Sequence, residues 1–173
     1  MGFDEEQREI IHFSDKLDNS KPGRKWFRYK GDAIARKVIA MLSNHLTNWN
    51  VVGPNVYLDE DPLEVDALIV EKASLPIEGA AYKKKDVKVL IEIKENGFVR
   101  FSKKEQINNY FERFRATGKP FVYLTIRENG TLTNLTKAVL ANDSFFLSEL
   151  PHHVVRGQWQ MFVEHVRDLA IAA

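Results

Sequence analysis

Asp66, Glu92 and Lys94 are the residues whose types and spacing could do chemistry in this chain. The stretch from Val87 to Lys94 alternates and is rich in β-branched residues, which predicts a strand. Successive strand side chains point to opposite faces, so Lys88, Leu90, Glu92 and Lys94 share one face. Leu63 to Val70 predicts a second strand, with Glu64, Asp66, Leu68 and Val70 on one face and Leu63, Val65, Ala67 and Ile69 on the other. A hairpin joining the two strands brings Asp66 to Glu92. The ungapped register has a constant sum of 158 and is centred on Gly79, inside the intervening loop. It also pairs Leu68 with Leu90 and Val70 with Lys88. Directly opposed residues have Cβ atoms roughly 4.5–5.5 Å apart. Two carboxylates that close repel unless one is protonated or a cation sits between them. Oxygen ligands without a thiolate suit a hard cation, Mg²⁺ or Mn²⁺. Lys94 on the same face can balance charge and position a water or a phosphate.

Several elements must hold these residues in place. Ile34, Val38, Leu42 and Leu46, joined by Ala35 and Ile39, predict a helix over about 30–47. Asn50 to Leu58, interrupted by Gly53-Pro54, predicts a bent or edge strand. Ser102 and Glu105 have capping-box spacing; Ile107, Phe111 and Phe114 form the apolar stripe behind them, and Gly118 and Pro120 end that helix. Phe121 to Ile126 predicts a fourth strand. A strand–helix–strand unit of this kind favours a right-handed crossover and parallel pairing. Further helices are expected over 3–17, near 134–142 and at about 158–171, with a turn-rich stretch at 18–23. The expectation is one α/β domain over 1–173 with a mixed sheet, an N-terminal extension at 1–25 and a helical C-terminal tail at 134–173.

Composition narrows the function classes. Hydrophobic residues make up 44% and charged residues 28% of 173, a globular balance that excludes a fully disordered chain. Lys and Arg number 25 against 24 Asp and Glu, so the net charge is +1. Attraction to nucleic acid or anionic lipid must then come from local patches. With no cysteine, disulfide scaffolds, thiolate zinc sites, iron–sulfur clusters and cysteine nucleophiles are excluded. No apolar run approaches the ~20 residues of a membrane span. The acidic start lacks the basic and apolar regions of a signal peptide, and the expectation is a soluble cytoplasmic protein.

Asp66, followed on the next strand by Glu92-Ile93-Lys94 and then by a helix carrying Gln106-x-x-x-Tyr110, resembles the PD-(D/E)XK nuclease superfamily. The resemblance covers residues from about 30 to 126. It implies the restriction-endonuclease-like αβββαβ core: a mixed central sheet flanked by helices, here with extra C-terminal helices. It further implies a Mg²⁺- or Mn²⁺-dependent phosphodiester hydrolase acting on nucleic acid, with DNA as the expected substrate. Asp66, Glu92 and the backbone carbonyl of Ile93 would be metal ligands. Lys94 would orient or activate the attacking water. The first helix often supplies a Glu in this superfamily, and Asp32 is the nearest acidic residue here; Glu64 is a second candidate. Val65 stands where the motif's name has proline. Gln106 and Tyr110 match the Q-x-x-x-Y helix of the exonuclease-like branch, whose residues contact substrate near the metal.

Other features admit plainer roles. Lys103 and Arg113 extend the Gln106–Tyr110 face at i−3 and i+7 and are candidate nucleic-acid contacts, as is Lys84 within Lys83-Lys84-Lys85. Lys21, Arg24, Lys25, Arg28 and Lys30 interleave with Trp26, Phe27 and Tyr29, which either stack on bases or pack a helix entry. His152 and His153 are adjacent, so on an extended segment they diverge, and His12, His45 and His165 have no ligand spacing. Two rivals to a nuclease remain: the same fold as a weak or inactive module binding nucleic acid or a protein, and an unrelated α/β domain in which Glu92 and Lys94 are a surface pair.

Overall fold

The structure is a computed structural model that describes residues 4–13, 24–60, 63–95, 103–126 and 145–173, without the side chains of 24–32, 95, 107 and 145–147. It is an α/β fold. The centre is a five-stranded mixed sheet in the order β2 (Trp49–Val52), β5 (Ala67–Glu71), β7 (Val87–Glu95), β8 (Phe121–Ile126) and β9 (Phe145–Leu150). β2, β5 and β7 pair antiparallel, whereas β7, β8 and β9 run parallel. A smaller sheet of β4 (Leu63–Val65), β3 (Val56–Leu58) and β6 (Ala81–Tyr82) flanks it.

Two apolar layers cover the central sheet. On one side α1 (Arg24–His45) and α3 (Arg156–Ala172) contribute Ile34, Val38, Leu42, Trp159, Phe162 and Val166 against Ala67, Ile69, Val89, Ile91 and Ile93. The helical spacing of those residues is what makes one buried stripe on each helix. On the other side α2 (Lys104–Arg115) and the small sheet cover Leu68, Val70, Leu90, Phe121 and Tyr123. Phe111 and Phe114 anchor α2 there, with Phe114 stacked on Phe121 at 4.2 Å between ring centroids. Thr117 donates its hydroxyl to the Phe114 carbonyl, and Gly118 in the left-handed region (φ 70°) closes the helix. No helix among the described residues is long and apolar enough to cross a membrane.

The structure corrects five expectations. First, the Leu63–Val70 strand is two strands that part at Asp66. Leu63 and Val65 join the α2-side core together with Leu68 and Val70, so the side-chain parity breaks at Asp66. Second, the register of sum 158 holds for Ala67↔Ile91, Leu68↔Leu90 and Ile69↔Val89, but an irregularity then pairs Val70 with Val87 rather than Lys88. Third, residues 10–12 form strand β1 (Ile10–His12), not part of a helix over 3–17; β1 pairs antiparallel with β10 (His153–Val155). Phe13 beyond it is buried against Trp159. Tertiary burial there outweighs a weak local helical pattern. Fourth, the C-terminal tail is not wholly helical, since it supplies β9 and β10 before α3. The capping arrangement also starts one residue later: Lys103 N–H donates to Gln106 Oε1 at 3.2 Å, so Gln106 takes the place expected for Glu105. Ser102, the helix expected near 134–142 and the side chains of the basic-aromatic group at 21–30 lie outside the described residues.

Candidate functional site

The site is built where a strand pairing stops. Ala67↔Ile91 is the last β5–β7 pair at this end, because the chain before Asp66 departs into the small sheet. Side chains take over from the ladder. The Asp66 N–H donates to Glu92 Oε1 at 3.2 Å, and the Ile93 N–H donates to Asp66 Oδ2 at 2.7 Å. This reciprocal clasp satisfies two backbone amides that would otherwise be orphaned at the strand end. It leaves Oδ1 of Asp66 and Oε2 of Glu92 outside these two bonds. Lys94 Nζ lies 3.8 Å from Glu92 Oε2.

Asp66 is also held from behind. Gly53 (φ 152°) packs so closely that a Cβ there would sit 2.3 Å from the Asp66 carbonyl oxygen. Only glycine adopts that backbone conformation at no steric cost and permits that approach. Asn55, with φ 57°, turns the same bend. Asn55, Glu64, Val65, Asp66, Glu92, Lys94 and Arg113 then line one open cavity of about 270 Å³.

Charge in this cavity is unbalanced. Glu92 is only 6% exposed, and burial first, then the Asp66 carboxylate, pushes its pKa up to about 8. Lys94 pulls the other way without prevailing. At neutral pH, then, a proton is retained where two carboxylates meet. Burial opposes the Lys94 ammonium, but Glu92, Tyr110 and Asp66 outweigh it, so its pKa moves up and it stays charged. Burial raises the Tyr110 phenol, with Lys94 opposing, so Tyr110 remains a neutral donor near these groups. Arg113 lies over the rings of Tyr110 and Phe114, at 5.8 and 5.0 Å from their centroids. Aromatic faces attract a guanidinium, and this holds Arg113 at the cavity wall.

The donor set fits a hard divalent cation. Two carboxylates converge in a place that otherwise holds a proton, and Mg²⁺ needs only one or two carboxylates. The Ile93 N–H points toward Asp66, and the carbonyl of a strand residue points to the same side as its N–H. The Ile93 carbonyl is thereby directed to the same strand end. Among the described residues no three His, Cys, Asp or Glu side chains form a metal-holding group. Glu64 lines the cavity, yet its carboxylate accepts the Tyr57 hydroxyl at 3.1 Å. The side chain of Asp32 lies outside the described residues.

The structure therefore brings together Asp66, Glu92, Lys94 and Arg113, with Tyr110 against them. Gln106 and Lys103 sit exposed at the start of α2, tied to each other, and do not line the cavity. Lys84 is not brought to it. It precedes β7, and the five residue steps from Val87 to Glu92 span roughly 17 Å of strand. There it joins Lys88 near Lys119, whose ammonium burial and these two charges hold below its usual range. Asn55 was missed in the sequence, where Gly53-Pro54 signals a bend but not what the bend faces. No family model matches the chain, and no curated protein or solved structure matches it either.

Proposed function

We propose that the protein is a metal-dependent phosphodiester hydrolase acting on nucleic acid, with DNA as the first substrate class, on a restriction-endonuclease-like core. The observation that carries this reading is the Asp66–Glu92 clasp at a strand end with Lys94 and Arg113 on the same cavity. The element order supports it as well: a helix, an antiparallel run of β2, β5 and β7, then α2 and a parallel β8.

Asp66 and Glu92, with the Ile93 carbonyl, would hold Mg²⁺ or Mn²⁺. When bound, such an ion supplies Lewis-acid stabilisation at a phosphoryl oxygen and acidifies a water. The chain's own groups do the rest. Lys94, kept protonated by Glu92 and Asp66, steadies the phosphate charge and orients the attacking water through its N–H donors. Arg113 offers a planar fork that can grip a phosphate in bidentate fashion. Tyr110 can donate a hydroxyl proton in a hydrogen bond, because its phenol stays neutral. Gln106 and Lys103, one face of α2 further out, contact the substrate strand beyond the scissile group. Their place at the helix N-terminus favours an anion.

A second reading is a module of the same core that binds nucleic acid without cutting it. It is favoured by the engagement of Glu64 with Tyr57, which occupies the nearest described third acid. One experiment separates the two. Single- and double-stranded DNA and RNA are incubated with the protein in Mg²⁺, Mn²⁺ or chelator, with Glu92→Ala and Lys94→Ala alongside. Cleavage that needs the ion and vanishes in both variants supports the enzyme. Retention of nucleic acid with no cleavage under any ion supports the module.

A further inference from the structure

The chain carries a second constellation, far from Glu92 in sequence. β1 and β10 pair as Ile10↔Val155, Ile11↔Val154 and His12↔His153. Phe13 N–H donates to the His152 carbonyl, and Arg156 N–H donates to the Glu9 carbonyl. Hydrogen-bonded and non-hydrogen-bonded pairs alternate along an antiparallel ladder, so with 13↔152 bonded, 12↔153 is a non-hydrogen-bonded pair. That is the pair type in which opposed side chains approach most closely. Phe13 and Val154 point into the core, which sends His12 and His153 outward on one face, both exposed. His152 diverges from His153 into the buried side. The outcome is a His12 Nδ1 to His153 Nδ1 separation of 2.6 Å, with the rings edge to face and 4.6 Å between centroids.

We propose that His12 and His153 form a binding site for a divalent ion of the zinc–nickel–copper class, which fastens the N-terminal strand to β10. Two imidazoles are borderline ligands that select this class over Mg²⁺ or Mn²⁺. At Zn–N bonds of about 2.0–2.1 Å, tetrahedral geometry sets two ligand nitrogens about 3.3 Å apart. The two Nδ1 atoms face each other at 2.6 Å, so an ion requires the two exposed rings to turn until that spacing opens to about 3.3 Å. Water completes the coordination. The strands that carry the ligands are held independently by Arg156, which pairs with Glu9 at 2.7 Å, and by Phe13 on Trp159. The strands are thus in place before any ion arrives and only the ring rotamers must change, which lowers the ordering cost of binding. Lys37 donates its ammonium to the His12 carbonyl. It opposes an incoming cation and makes the affinity depend on the imidazoles. The proposal stands apart from the Asp66–Glu92 site and shares no residue with it.

The test uses the full chain freed of metal, titrated calorimetrically with Ni²⁺ at pH 7.5, and loaded with Cu²⁺ for electron paramagnetic resonance. Wild type should bind one equivalent that depends on the histidines, counted apart from any ion taken by the Asp66–Glu92 site. His153→Ala and His12→Ala should each weaken binding about tenfold or more, since one of two ligands is gone. Glu92→Ala should lose only the ion taken at the carboxylates and keep the histidine-dependent equivalent. The Cu²⁺ spectrum should show coupling to two nitrogens, and Zn²⁺ should slow exchange of the Phe13 amide. Equal Ni²⁺ affinity in wild type and His153→Ala overturns the proposal. So does a Cu²⁺ spectrum with fewer than two nitrogens, which would leave only a hydrogen-bonded histidine pair and needs no variant to fold.

Discussion

Along β7, Val89, Ile91 and Ile93 point into the layer built by α1 and α3, while Leu90, Glu92 and Lys94 point toward α2 and the small sheet. The first face is apolar from Val89 through Ile93. The second begins apolar at Leu90 and turns charged two residues later. Consecutive residues of one strand thus take opposite tasks. One face supplies burial, which is favourable and non-directional. The other holds a carboxylic acid in a setting that resists its charge, which is costly unless a cation or a proton compensates.

The largest effect should come from cutting the first face. Ile91→Ala empties a fully buried position and should cost about 2–5 kcal/mol of stability by urea denaturation. That loss should be nearly independent of pH and of Mg²⁺, since no ionisable group is involved. A strong pH dependence of the difference would break the division between the faces.

The second face should show the reverse. Glu92 has a folded pKa of about 8 against an ordinary 4.5. Between those values the folded state binds the extra proton, so stability is intact below about pH 4.5 and falls as pH rises toward 8. The slope is on the order of 1.4 kcal/mol per pH unit for one group. Thermal unfolding of the metal-free protein from pH 4.5 to 8 should show this decline, and Glu92→Gln should flatten it. An unchanged profile in the variant would mean that Glu92 does not titrate in that window.

Gly53→Ala sharpens the comparison from the back of the site. Its Cβ would press on the Asp66 carbonyl at a φ of 152°. We expect a loss of about 1–3 kcal/mol, as for other strained backbone positions. Metal affinity should fall with it, since the clasp moves. The smallest effect belongs to Arg113→Ala, which removes a partly solvated cation from the Tyr110 and Phe114 rings and should cost about 0.5–1 kcal/mol of stability. Substrate affinity should nonetheless drop, with a reduced dependence on salt concentration.

The strand parity of β7 was legible from Val89 to Lys94, because Val89, Ile91 and Ile93 serve one core; Val87, expected on their face, joins the α2-side core instead. The pairing of Ala67 with Ile91 was legible because both strands alternate around a loop centred on Gly79. The break at Asp66 was not. Leu63, Val65, Ala67 and Ile69 keep an unbroken alternation, and nothing local tells that the first two serve a different core from the last two. The shift at Val70 carries no glycine or proline to mark it. β1 was illegible for another reason: its partner lies 141 residues away at His153, and a three-residue strand has no period to read. The same distance hid the His12–His153 pair, although the divergence of His152 from His153 was expected from their adjacency. At the site, residue types and spacing pointed to Asp66, Glu92, Lys94 and Arg113, whereas Asn55 required the bend that Gly53 makes.

The central claim is that the proton held by Asp66 and Glu92 stands where a divalent cation belongs. It is tested most directly by calorimetric titration with Mn²⁺ at pH 7 in two buffers of different ionisation enthalpy. Binding should release close to one proton per ion, because an acid with a pKa of about 8 must ionise to become a ligand. The Asp66→Asn/Glu92→Gln variant should bind no ion and release no proton. Mn²⁺ bound equally well by that variant, or bound by wild type with no proton released, would contradict the account.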